Sequence, residues 1–184
     1  MNYESYKFID KPLLNELIEC NNVIFLGDLG SGKSVLLHQY VNELLSSTDK
    51  NNVYIHDPKC SEYYHKKDYE CLNIITQSDE EKFINALNKI VDQRLKLSKD
   101  ALSKEPNIIV ISDEIGGSYL ERFLLEHCQD FPKTNIKLLL ASQNFDGHLN
   151  KLKNKNWCKF YIEGKYGDKT RKIIAGDQLS LFSL

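Results

Sequence analysis

The chain has 184 residues, enough for one domain with a sizeable buried core. Its 24 Lys+Arg nearly balance 26 Asp+Glu, so net charge gives no argument for a polyanionic partner and none against a local basic patch. No apolar run reaches the ~18 residues that a membrane-spanning helix needs, and the start Met1-Asn-Tyr-Glu-Ser-Tyr-Lys7 lacks the apolar stretch of a signal peptide. The five cysteines, Cys20, Cys60, Cys71, Cys128 and Cys158, are odd in number and form no C-x-x-C pair. Free thiols in a reducing, cytoplasmic setting are therefore expected.

Apolar runs at Val23–Leu26, Val53–Ile55, Ile108–Ile111 and Ile136–Ala141 suit buried strands. Further strands are expected at Lys159–Ile162 and Arg171–Ile174. Helical spacing appears between them: Val35, Leu36, Val41, Leu44 and Leu45 after the first strand; Phe83, Leu87, Ile90, Val91 and Leu95 in mid-chain; Leu120, Phe123, Leu124 and His127 later. Ser46–Asn52 reads as a loop. Alternating strands and helices predict an α/β domain with a mostly parallel sheet. No linker divides it, so residues 1–184 are expected to form one domain.

Between the first strand and the first helix lies Gly27-Asp-Leu-Gly-Ser-Gly-Lys-Ser34, a full G-x-x-x-x-G-K-[ST] match. Glycine lets the backbone wrap a phosphate closely. The loop N–H groups and the helix N-terminus then face the anion. Gly27, Asp28, Leu29, Gly30, Ser31, Gly32, Lys33, Ser34 and Val35 are the expected ATP-binding residues. Lys33 would reach the β- and γ-phosphates and Ser34 would ligate Mg²⁺.

The strand Ile108-Ile-Val-Ile-Ser-Asp-Glu114 ends in two carboxylates, at the end of a parallel strand where ligands bind. Asp113 is expected to hold magnesium and Glu114 to activate water as general base. The competing reading makes Asp113 the cap of the next helix. The strand Lys137–Ser142 is followed by Gln143, which can contact the γ-phosphate or orient water. A strand-end Asp-Glu pair favours hydrolysis over transfer to a substrate hydroxyl.

Taken in order, these motifs resemble the FtsK/HerA superfamily of nucleic-acid-pumping ATPases. The match rests on the P-loop Gly27–Ser34, Asp57-Pro-Lys59 after a strand, the helix Ala86–Leu95, Ile108–Glu114, Leu138-Leu-Leu-Ala-Ser-Gln143 and Asp168-Lys-Thr-Arg-Lys-Ile-Ile174, spanning about residues 20–182. It implies a RecA-like P-loop NTPase fold, with a mostly parallel central sheet flanked by helices. It also implies ATP and Mg²⁺ as cofactors, a homo-hexameric ring, and movement of double-stranded DNA without sequence specificity. A motor core of this size looks most like a viral or mobile-element packaging ATPase, placed in the host cytoplasm or the virion. Arg171 takes the position of the family's late Ser-Arg strand and is the first choice for an arginine finger. Where the family often carries another Arg, this chain has Phe131-Pro-Lys-Thr134.

Two alternatives stay open: a nucleotide or small-molecule kinase, and a non-catalytic module that uses nucleotide to hold a shape. Three arginines in the chain, Arg94, Arg122 and Arg171, count against an arginine-rich kinase lid. Intact Lys33 and Glu114 count against a silent module. Two weaker constellations remain. His56, Cys60, His65 and Cys71 are zinc-ligand types at spacings that match no known finger. Lys151, Lys153, Lys155 and Lys159 flank Trp157 and can meet phosphates and stack on bases, or form a solvated loop around a tucked-in indole.

Overall fold

The computed structural model describes residues 20, 22–47, 52–58, 73–113, 119–143, 157–164, 170–175 and 178–183. The strands are β1 (Asn22–Leu26), β2 (Val53–His56), β3 (Asn73–Ile75), β4 (Ile108–Asp113), β5 (Ile136–Ser142), β6 (Trp157–Glu163), β7 (Thr170–Ala175) and β8 (Gln178–Ser183). The helices are α1 (Lys33–Ser47), α2 (Glu80–Arg94), the short α3 (Lys99–Leu102) and α4 (Tyr119–His127).

These strands form one eight-stranded sheet in the order β3-β2-β4-β5-β1-β6-β7-β8. The first six neighbours run parallel, and β7 and β8 return antiparallel at the edge. This is the mostly parallel α/β arrangement that the strand and helix pattern predicts, of the RecA-like type that the resemblance implies. β8 was not among the expected strands. It lies at the sheet edge and its sequence, Gln178-Leu-Ser-Leu-Phe-Ser183, has no unbroken run of four apolar residues.

Side chains alternate across the sheet and build two cores. On one face Val23, Phe25, Ile55, Ile111, Leu139 and Phe160 pack against Leu36, Leu37, Tyr40 and Val41 of α1. On the other face Ile24, Leu26, Val110, Leu138 and Leu140 pack against Phe83, Leu87 and Val91 of α2 and Leu120, Phe123 and Leu124 of α4. A sheet covered on both faces explains why its strands read as unbroken apolar runs. The helices show only a stripe, because each buries one side.

The buried stripe of α2 is apolar in its middle and charged at both ends: Glu80, Phe83, Leu87, Val91, Arg94. Arg94 closes this stripe. It is buried, donating from Nη1 to the Thr134 carbonyl at 2.9 Å, with Glu105 3.5 Å from Nη2. Burial lowers its pKa and the Glu105 carboxylate partly offsets this. The contact fastens the end of α2 to the chain entering β5.

The expectation of free thiols fails for one pair. Cys20 and Cys158 form a disulfide, with Cα atoms 6.3 Å apart. Cys20 lies just before β1, and β6 lies beside β1 with Val23 opposite Cys158. That adjacency joins positions 138 residues apart, which spacing along the chain does not reveal. Cys128 is a buried thiol outside this disulfide, and Cys60 and Cys71 lie outside the described residues.

Candidate nucleotide site

The site is built where β1 stops. Its last residue Leu26 is fully paired, opposite Ser142 of β5 and Tyr161 of β6. The chain then leaves the sheet at Gly27. A Cβ on Gly27 would collide with the Ile162 carbonyl of β6, so the loop passes too close to its neighbour for any side chain. Gly30 and Gly32 have φ of 77° and 98°, a region that L side chains enter at a cost. These two glycines turn the loop back, and the Ser31 N–H closes it on the Asp28 carbonyl at 3.1 Å. α1 starts at Lys33, with its first carbonyl acceptor at Gly32. The loop N–H groups and the helix N-terminus therefore share one edge of the sheet.

Lys33 is 7% exposed and its ammonium folds back over the loop, donating to the Gly27 and Asp28 carbonyls at 2.7 and 2.8 Å. Ser34 Oγ donates to Asp113 Oδ1 at 3.0 Å, joining residues 79 apart in sequence. The strand order makes this contact possible: β5 separates β1 from β4, and Asp113 lies opposite Ala141 at the same end of the sheet. The donor set is a hydroxyl and a carboxylate, all oxygen, which suits a hard divalent cation such as Mg²⁺. The described α4 spans Tyr119–His127, and its Leu120 N–H is accepted by Glu80.

Gln143 follows β5, between the strand of the phosphate loop and the strand of Asp113, and is exposed. Leu29 is exposed at the loop tip, and Val35 lies half-buried in the first turn of α1. Glu114 lies outside the described residues, as do Lys59, Cys60, His65, Cys71, Lys151, Lys153 and Lys155. Arg171 is placed by its backbone in β7, opposite Phe182 of β8. Its neighbour Lys172 pairs with Glu163 near the end of β6, so Arg171 lies toward the same edge of the sheet as the phosphate loop, two strands from β1. Arg122 is exposed and pairs with Glu126 one turn along α4.

Of the zinc-type residues, His56 is the one described. It is buried on β2 with its Nδ1 2.8 Å from Ser112 Oγ. No group of three or more metal-ligand side chains occurs among the described residues. Trp157 begins β6, with its backbone beside Asn22 of β1. Sequence reasoning passed over Glu80 and Ser112. Both look unremarkable in a linear pattern; Ser112 already stands beside Asp113, and packing brings Glu80 and His56 to it.

A RecA-like three-layer α/β domain, with a P-loop joined to a strand-end aspartate, is the class that fold and site define. No family model matches the sequence, and no curated protein matches it either. Solved structures do share the fold. A protein described as an ATPase superposes with a TM-score of 0.65 at 12% identity, over 91% of this chain and 80% of its own. The cytoplasmic domain of the type VII secretion ATPase EccC of Thermomonospora curvata gives 0.66 at 12% identity, over 89% and 23%. EssC (ATPases 2 and 3) of Geobacillus thermodenitrificans gives 0.62 at 19% identity, over 90% and 39%. The chain thus spans well under half of those two larger proteins. Among the described residues no helix is long and apolar enough to cross a membrane.

Proposed function

We propose that this chain binds ATP with magnesium and hydrolyses it. The Ser34–Asp113 contact at 3.0 Å, beside a Lys33 held over the phosphate loop, carries the reading. It assembles from two distant motifs the oxygen pair that such a site needs. Structures of similar fold described as ATPases support it.

The chemistry follows from the residues. Loop N–H groups and the α1 N-terminus hold the phosphate oxygens. Lys33 leaves its carbonyl partners for the β- and γ-phosphates, exchanging neutral acceptors for anionic ones. Ser34 and Asp113 hold magnesium, which when bound neutralises phosphate charge. Glu114 takes a proton from the attacking water, and Gln143 orients that water or contacts the γ-phosphate. Glu114→Gln should keep nucleotide binding and lower turnover by about 10²–10⁴-fold. Turnover at the wild-type rate would remove Glu114 from the role of base.

Hydrolysis is further proposed to drive a DNA-translocating ring, most simply a homo-hexamer in the cytoplasm or a virion, serving genome packaging or DNA transfer. Support comes from the resemblance carried by Asp57-Pro-Lys59 and Ala141-Ser-Gln143. Arg171 is then the candidate finger across the subunit junction. Arg94 is committed to Thr134 and Arg122 to Glu126, while Arg171 belongs to the sheet edge nearest the loop. A mixture of Arg171→Ala and Lys33→Ala subunits should regain activity at junctions that pair an intact copy of each. A polypeptide substrate is the second reading, because EccC (ATPases 2 and 3) has been solved with a signal sequence peptide. Turnover with and without double-stranded DNA decides between them. Stimulation that weakens steeply with salt, and less so after neutralising Lys151, Lys153 and Lys155, supports DNA. No stimulation leaves the polypeptide reading.

A further inference from the structure

A buried polar line runs beneath the acidic strand end, on the sheet face opposite α1. His56 of β2 is 1% exposed. Its Nδ1 lies 2.8 Å from the hydroxyl of Ser112, the residue before Asp113. Its Nε2 faces Glu80 Oε1 at 3.5 Å. That oxygen also accepts the backbone N–H of Leu120, at 2.9 Å, in the first turn of α4. Four segments distant in sequence thus meet through one imidazole and one carboxylate.

Each bond has a reason. Glu80 is the first residue of α2, where free N–H groups and the helix dipole favour an anion. Leu120 brings a second helix N-terminus to the same carboxylate. An ionised carboxylate only accepts, so the His56 proton belongs on Nε2 facing Glu80, and Nδ1 accepts from the Ser112 hydroxyl. Burial lowers the His56 pKa, partly opposed by Glu80 and Asp57, which fits a neutral ring. A serine, histidine and carboxylate in line also describe a nucleophilic triad. Ser112 is wholly buried on a central strand, so no substrate reaches its hydroxyl.

We propose that Glu80, acting with His56, is a positioning residue of the hydrolytic centre. Through His56 and Ser112 it steadies the end of β4 at Asp113. Through Leu120 it fixes the start of α4. The first contact acts beside Asp113 itself, at its bond with Ser34. A strand end held there keeps Asp113 at its distance from Ser34 and from the cation the pair would share. A small misplacement there is expensive in rate and nearly silent in nucleotide affinity, since the phosphate loop belongs to the other face of the sheet. The inference rests on the ATPase reading above.

The test compares wild type, Glu80→Ala, Glu80→Gln and His56→Gln. It measures ATP turnover, affinity for a fluorescent ATP analogue, and hydrogen exchange at the Leu120 amide. Glu80→Ala should lower kcat about tenfold or more, change affinity by less than about twofold and speed Leu120 exchange. Glu80→Gln keeps an oxygen acceptor for Leu120 and should recover most of both. A folded Glu80→Ala with wild-type kcat overturns the proposal, as does a parallel fall in kcat and affinity that Glu80→Gln does not rescue. Should Glu80→Ala not fold, His56→Gln decides: lowered kcat at kept affinity supports the role, wild-type kcat overturns it. A wild type without turnover refutes the ATPase reading instead. Leu120 exchange in the Glu80 variants then still shows whether the brace exists, and unchanged exchange in Glu80→Ala overturns it.

Discussion

The two faces of the sheet solve the problem of buried polarity differently. On the α1 face, Ser34, Lys33 and Asp113 gather at one end of the strands, where a ligand can partner them, and Lys137 lies half-buried below the Tyr40 ring. On the α2 and α4 face, ionisable groups are sealed inside and set against groups of the protein itself: Glu80 accepts from Leu120 and lies 3.5 Å from His56 at one end of α2, and Arg94 donates to Thr134 at the other. Polarity left at an edge is available for chemistry. Polarity enclosed and paired fixes geometry, because an unpartnered buried group is costly.

The largest expected effects come from the cores themselves. Leu139 and Leu140 are neighbours on β5, both fully buried, pointing to opposite faces. Each Leu→Ala should cost about 2–5 kcal/mol in urea unfolding. A loss confined to one of them would show that the other face is loosely packed and would break the comparison. Reduction of Cys20–Cys158, which packs against the α1 face, should follow. A closed loop of 138 residues restricts the unfolded chain, and disulfides typically contribute about 2–4 kcal/mol. The melting temperature should therefore drop with dithiothreitol in wild type and stay put in Cys20→Ser.

Two arginines sharpen the contrast between enclosed and exposed charge. Arg94→Met strands the Thr134 carbonyl and should destabilise by about 1–3 kcal/mol. Arg122→Ala removes only an exposed pair within one helix, where such pairs are worth about 0.3–0.5 kcal/mol. Equal effects in thermal melts would erase the distinction.

The smallest effect concerns Lys137, whose pKa burial lowers to about 8. Below pH 8 both folded and unfolded chains carry its proton, and the folded state bears the full cost of a desolvated cation. Between pH 8 and the usual 10.5 the unfolded chain holds the proton more tightly, so this group's contribution to stability rises with pH. Lys137→Met should raise the melting temperature at pH 7, by an amount that shrinks as pH climbs past 8. A difference constant from pH 7 to 10 would show that Lys137 is not desolvated.

Most of the architecture was legible because a sheet covered on both faces writes itself as apolar runs. Val23–Leu26, Ile108–Ile111 and Ile136–Ala141 all lie in central strands, and the 3.6-residue spacing of Phe83, Leu87 and Val91 marked α2. β8, at the sheet edge, left no such trace. Gly27–Ser34 was legible for another reason. A loop that wraps phosphate needs glycine at fixed offsets and a lysine at the helix start, so its chemistry is local.

What the sequence alone determined is whatever depends on neighbours along the chain: strand and helix periodicity, the phosphate loop, and the acidic end of β4. Tertiary structure decided whatever depends on strand order. It set Ser34 against Asp113, joined Cys20 to Cys158, buried Arg94 beneath Thr134, and brought His56, Glu80, Ser112 and Leu120 together. The physical reason is the range of the forces. Side-chain periodicity acts over one turn or one pleat, whereas a hydrogen bond forms between whichever groups the packed sheet brings within about 3 Å, however far apart they lie in the chain.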